Sequence, residues 1–210
     1  PERAFRLHAD GFYATLAGRG LVRIHLISRM RRDAVLYEPL AGTSGKKKRG
    51  RPATKGRRLP TPEQMARRVH SWRPVVTLER GQTRKRLIYA RQVVWYHVSK
   101  TPVWLVISRD PAGKERDDFF LTGDLSLRPE QVVGGFADRW SIEDTFKNTK
   151  QFLGGQEPQT WKGPGPERAA MLSLWLSSVV WLWYLSQKGH AGKLCVPAWY
   201  PTKGHPSFQD

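Results

Sequence analysis

A chain of 210 residues with 36 Lys and Arg against 18 Asp and Glu carries a formal charge of +18. A field of that size gathers polyanions and repels basic partners, so nucleic acid is the first partner class, with anionic membrane surfaces as the competitor. Hydrophobic residues make up 39% and include 9 Trp, 8 Phe and 6 Tyr, which excludes a purely basic, coreless tail. The single cysteine, Cys195, excludes an internal disulfide and a cysteine-rich zinc site and fits a reducing compartment; the six histidines show no ligand spacing.

The chain opens on Pro1 without a charged region followed by an apolar stretch and a cleavage site, so its start reads as an interruption inside a domain. Residues 4–9 read as a short strand ending at Asp10, followed by a short helical stretch from Phe12 to Ala17 that Gly18 and Gly20 stop. Alternation from Leu21 to Met30 predicts a second strand. Strand, acid, short helix, strand is a fragment of α/β architecture, in which ligands sit beyond the carboxyl ends of strands. Asp10 occupies such an end.

From Gly42 to Pro62 the apolar period vanishes under Lys, Arg, Gly and Pro, which predicts an exposed loop. Strand-like runs follow at Arg73–Glu79, Leu87–Val94, Pro102–Ser108 and Asp118–Leu121, with turns at Arg80–Thr83 and Asp110–Lys114. These runs predict an antiparallel, β-rich insertion over 35–125 whose last strands can add to the main sheet. Pro129 and Glu130 open a helix whose apolar period runs through Phe136, Trp140 and Phe146 to Phe152, where Gly154 and Gly155 end it. Beyond the joint Gly163-Pro164-Gly165-Pro166, an apolar stretch of 17 residues, Ala169–Leu185, reads as a buried core helix in preference to a membrane span. A Pro-rich tail covers 189–210.

The segment from Phe136 to Lys150 is the most informative. On one continuous helix Phe136, Arg139, Glu143, Lys147 and Lys150 fall near one face, so a carboxylate able to meet a metal stands among cations able to meet phosphate. The plain alternative is a solvated helix face, in which Arg139 and Glu143 form an i,i+4 pair worth about 0.2–0.5 kcal/mol. Asp10 has its own plain alternative, as the cap of the short helix after it. An acid at a strand end, another in mid-helix and a strongly basic chain together favour a site.

This segment resembles the Tyr-Arg-Glu-Lys signature of the DDE transposases of bacterial insertion sequences. The family pattern falls on Phe136, Arg139, Glu143 and Lys150 with its spacing intact, Phe replacing Tyr and losing a hydroxyl. Ala9-Asp10-Gly11-Phe12-Tyr13-Ala14 and the run from Ile27 to Tyr37 are similar to the region of the family's second acid. The resemblance implies an α/β chain with a partial ribonuclease-H-like fold: sheet strands in 1–34, the β-rich insertion in 35–125, and closing helices in 126–188. It implies Asp10 and Glu143 as catalytic, metal-binding acids for two Mg²⁺ or Mn²⁺ ions. It also implies DNA contacts by Phe136, Arg139, Lys147 and Lys150, double-stranded DNA as partner, a homodimer without a membrane, and a place on the bacterial nucleoid in the cytoplasm. The reaction implied is phosphodiester cleavage followed by strand transfer. The family's first acid belongs upstream of Asp10, so little cleavage is expected of these 210 residues alone. A DNA-binding remnant without chemistry is the rival reading, and a small membrane protein anchored by 169–185 a third.

Lys48-Arg49-Gly50-Arg51-Pro52 resembles the core of an AT-hook, an arm whose arginines enter a narrow minor groove; a solvated linker is the alternative. Trp72, Trp95, Trp104, Trp140, Trp161 and Trp199 are candidates for stacking on bases, with packing the commoner fate of such residues.

Overall fold

The computed structural model describes residues 3–40, 54–187, 196–199, 201 and 208. The chain forms two compact units, Pro1–Trp140 and Ser141–Asp210.

The first unit is a mixed α/β structure built on one six-stranded sheet. Its strands are β1 (Phe5–Ala9), β2 (Ile24–Arg29), β3 (Arg73–Glu79), β4 (Gln82–Val93), β5 (Val103–Arg109) and β6 (Asp118–Thr122), in the spatial order β1-β2-β6-β5-β4-β3. β1 and β2 are parallel, joined through the 3-10 helix Gly11–Gly18; every other neighbouring pair is antiparallel. β2 pairs with β6, so the β-rich region continues the sheet that β1 and β2 begin.

Both faces of β5 are covered, which explains its near-continuous apolar run. Leu105 and Ile107 point into a cluster with Leu26, Phe119 and Leu121, while Val106 points into the opposite cluster with Ile27, Ile88 and Phe120. The first cluster is closed by Met65 and Ala66 of α1 (Pro62–Arg68) and the second by Val132, Val133 and Phe136 of α2 (Pro129–Asp138). Complete burial of each such side chain stabilises by about 1.5–3 kcal/mol. Gly134 lets α2 approach the sheet: a Cβ there would stand 2.7 Å from the Leu78 carbonyl oxygen of β3.

Three local features depart from expectation. The β3–β4 turn contains only Arg80 and Gly81, with φ of 52° and 74°, so β4 starts at Gln82. Two positive φ values match the twist of a tight hairpin, and Gly81 adopts them without cost. α1 was not anticipated, although Thr61 and Gln64 form a reciprocal capping box with Pro62 in the first turn. The expected helix from 129 to 152 is two helices, α2 and α3 (Ser141–Phe152). Arg139 and Trp140 leave the α-helical pattern, their N–H groups bonding the carbonyls of Phe136 and Ala137 three residues back. The apolar period runs on through this break, so periodicity does not reveal it.

In the second unit α3 packs against α4 (Gly165–Ser186) through small side chains: Thr149, Ser173 and Ser177 are buried. Ser173 Oγ donates to the Leu153 carbonyl at 2.8 Å. Gly154, at φ 66°, ends α3, and the Gly155 N–H returns to the Thr149 carbonyl. The expectation of a buried core helix at 169–185 is corrected: Trp175, Leu182 and Trp183 are about two-thirds exposed. Only the serine stripe meets α3 closely enough to be buried, and apolar character around the rest of the circumference cannot bury itself without an opposing surface. By length and composition α4 is long and apolar enough to cross a membrane.

Candidate nucleic-acid interface

Asp10 stands directly after β1, at the carboxyl end of the parallel β1–β2 pair. Its carbonyl accepts a hydrogen bond from Ser28 Oγ of β2 at 2.9 Å, which fixes the backbone at that corner. Asp10 is the N-cap residue of the following 3-10 helix, but its carboxylate makes no capping bond to it. Instead Asp10 Oδ1 lies 3.6 Å from Nε of Arg139, whose side chain is largely buried while the carboxylate stays open to solvent. Residues 129 positions apart are thus brought together inside the first unit.

Phe136 supports this arrangement from below. Its ring is 7% exposed and packs on Phe120 at 5.0 Å between centroids, so its main role here is packing. The guanidinium carbons of Arg139 and Arg29 lie 5.2 and 5.3 Å from its centroid. Arg29 ends β2 and reaches Asp118 of β6 at 3.2 Å.

The α2 side of the sheet changes character at this end. Lanes that read Ile27, Phe120, Val106 and Ile88 under α2 become Arg29, Asp118, Ser108 and Arg86 beyond it. Arg86 makes a bidentate pair with Glu79, and both side chains are about nine-tenths buried. Arg84 and Arg86 also hold Glu115. Desolvation pushes Glu79 upward, but hydrogen bonds from Arg86 and Thr77 outweigh it and hold its carboxyl below the usual range. The same pairing raises Arg86. Asp118 goes the other way: burial raises it, with Arg29 only partly offsetting the cost.

Glu143, Lys147 and Lys150 lie on α3 in the second unit, and both lysines are exposed. The signature is therefore divided between the units, Phe136 and Arg139 in one and Glu143 and Lys150 in the other, rather than carried on one helical face. Lys48, Arg49 and Arg51 lie outside the described residues. Among the described residues no three His, Cys, Asp or Glu side chains are grouped to hold a metal ion.

No protein-family model matches the chain, and neither the curated proteins nor the solved structures yield a match.

Two tryptophans considered for base stacking have packing roles. Trp95 is buried, and the Trp104 indole N–H donates to the Leu125 carbonyl at 3.1 Å. Trp72 lies under the Arg109 guanidinium at 4.2 Å, and Trp161 is 77% exposed. The charged layer of Arg29, Arg84, Arg86, Glu79 and Asp118 was missed in the sequence. Its signal is the spacing Arg84-Lys85-Arg86, in which two like charges two residues apart on a strand must share a face.

Proposed function

We propose that the chain is part of the catalytic region of a transposase that cuts DNA strands and joins them to a target, with double-stranded DNA as its partner. The observation that carries the reading is the approach of Arg139 to Asp10 at 3.6 Å. One residue comes from the Arg position of the signature and the other from the separate region matched to the second acid, and nothing in their local sequences requires them to meet. A parallel strand pair with an acid at its carboxyl end also fits a ribonuclease-H-like core.

In this reading Asp10 and Glu143 are carboxylates for Mg²⁺ or Mn²⁺. Such ions, when bound, stabilise the attacking and leaving oxygens of phosphodiester displacement. The described side chains do not form a cradle for a pair of ions by themselves, since no group of three ligands exists among them. Arg139 orients the Asp10 carboxylate from a largely buried position, and the Phe136 ring fixes the Arg139 guanidinium. Lys147 and Lys150 supply exposed cations for phosphate.

A non-catalytic DNA-binding protein derived from such an enzyme is the second reading, favoured by that absence of a three-ligand group among the described residues. Duplex binding and nicking of supercoiled DNA, measured side by side with Mg²⁺ and Mn²⁺, test both. The catalytic reading expects salt-sensitive duplex binding and weak metal-dependent nicking that Asp10→Asn and Glu143→Gln each remove. Binding with no nicking favours the second reading. Failure to bind duplex DNA, or nicking indifferent to both substitutions, overturns the transposase assignment.

A further inference from the structure

The polar end of the α2 face encloses a cavity of about 490 Å³, built entirely from the first unit. Its floor is the sheet, from Arg29 across Asp118 and Ser108 to Arg84 and Glu79; its wall is the end of α2 with Arg139 and Trp140. Five arginines line it, at 29, 80, 84, 86 and 139. Three carboxylates of the lining, Glu79, Glu115 and Asp118, oppose them, and Asp10 approaches Arg139 at 3.6 Å, which leaves an excess of one positive charge.

The pairing pattern shows where that excess lies. Glu79 is taken by Arg86, Glu115 by Arg84 and Arg86, and Asp118 by Arg29. Arg80 has no carboxylate partner among the described residues; its guanidinium lies over the Trp140 ring, 4.5 Å from the centroid. The backbone holds it there, because Arg80 occupies the first of the two positive-φ positions of the β3–β4 turn. Ser108 is a second group facing the cavity. It is 4% exposed and lines the cavity, where its hydroxyl can donate to an anion.

We propose that this cavity is a phosphate-binding site, in which Arg80 and Arg84 grip the anion, Ser108 donates from the floor and Gln82 from the rim. Guanidinium groups bind phosphate oxygens through paired, charge-assisted hydrogen bonds, and the surplus charge of the lining matches one phosphate group. The phosphate can belong to a nucleic-acid backbone or to a small phosphate-bearing molecule; the chemistry of the grip is the same. The assignment uses none of the chemistry ascribed to Asp10 and Glu143, so it stands or falls separately from the transposase reading.

Titration calorimetry of the full chain with inorganic phosphate, and separately with a short DNA duplex, tests it. The variant is the double substitution Arg80→Asn with Arg84→Gln. Asn tolerates the positive φ at position 80, and both side chains lie outside the apolar core. The control is Arg67→Gln with Arg68→Gln on the exposed face of α1, which removes the same charge elsewhere. Melting curves establish that both variants fold. The site variant is expected to weaken phosphate binding by about tenfold or more, as loss of charge-assisted bonds does, while the control leaves it unchanged. Weakened duplex binding beyond that of the control, with a salt slope shallower by about two, assigns the site to the DNA backbone. Weakened phosphate binding alone assigns it to a small phosphate-bearing molecule. Equal phosphate affinities of wild type, site variant and control, or no phosphate binding by wild type, overturn the proposal.

Discussion

Strand β5 of the first unit and helix α4 of the second are both strongly apolar, and they are treated oppositely. β5 has helices over both faces, and Val103, Leu105, Val106 and Ile107 are at most 1% exposed. α4 carries comparable side chains, yet Trp175, Leu182 and Leu185 remain about two-thirds exposed, and its buried positions are the serines 173 and 177. Hydrophobicity gives a segment a reason to be covered. Coverage itself depends on whether another element presents a matching surface, and in α4 the surface that α3 meets is the small, polar one.

The comparison is broken most directly by truncating one leucine in each region. Leu105→Ala at the centre of the sheet should cost about 2–5 kcal/mol, through lost transfer energy and a residual cavity. Leu182→Ala on α4 should stay within about 0.5 kcal/mol, as exposed substitutions do. Chemical denaturation measures both. Equal losses would mean that α4 is covered in solution by something other than the packing described.

A similar contrast sharpens the picture for charges. Glu79→Gln leaves the buried Arg86 with Glu115 alone and should destabilise the first unit by about 2–4 kcal/mol. Glu63→Gln breaks only the exposed i,i+4 pair with Arg67 and should cost less than about 0.5 kcal/mol. Glu79 titrates below its ordinary value in the folded state. The stability it contributes is therefore present above the unfolded carboxyl range and is lost as pH falls through the folded value. Acid melts of wild type and Glu79→Gln should converge at low pH; a constant gap would refute the ionic origin of the effect.

The smallest expected effect concerns His8 on edge strand β1. Its Nε2 is buried without a hydrogen-bond partner beside Gly135 of α2, and burial lowers its pKa against the opposing pull of Asp138. A histidine lowered in the fold resists protonation. Stability is therefore kept above the ordinary value of 6.5 and declines as pH falls through it toward the folded value. Melting temperatures between neutral and mildly acidic pH should fall more steeply for wild type than for His8→Leu. Identical slopes would show that His8 is solvated.

Much of this was legible in local sequence. The strand-like runs of β3 and β5, the Asp110 turn and the strand end at Asp10 follow from local composition and turn chemistry. The capping box at Thr61 and Gln64 was equally readable, but the charge-rich segment before it drew the expectation of a loop. The break at Arg139–Trp140 was not readable, because helix propensity and apolar period continue across it. Arg139 and Trp140 instead take partners far along the chain, Asp10 and Arg80.

The candidate site divides along the same line. Composition alone determined that the chain is a polycation with a core, and periodicity alone placed an acid at a strand end and helical structure between Pro129 and Phe152. Only the tertiary structure decided that β2 pairs with β6, that Arg139 meets Asp10, that five arginines share one cavity and that α4 is exposed. The physical reason is range. Side-chain period and capping act over a few residues and are written locally, whereas pairing, burial and charge compensation depend on which distant surface arrives opposite.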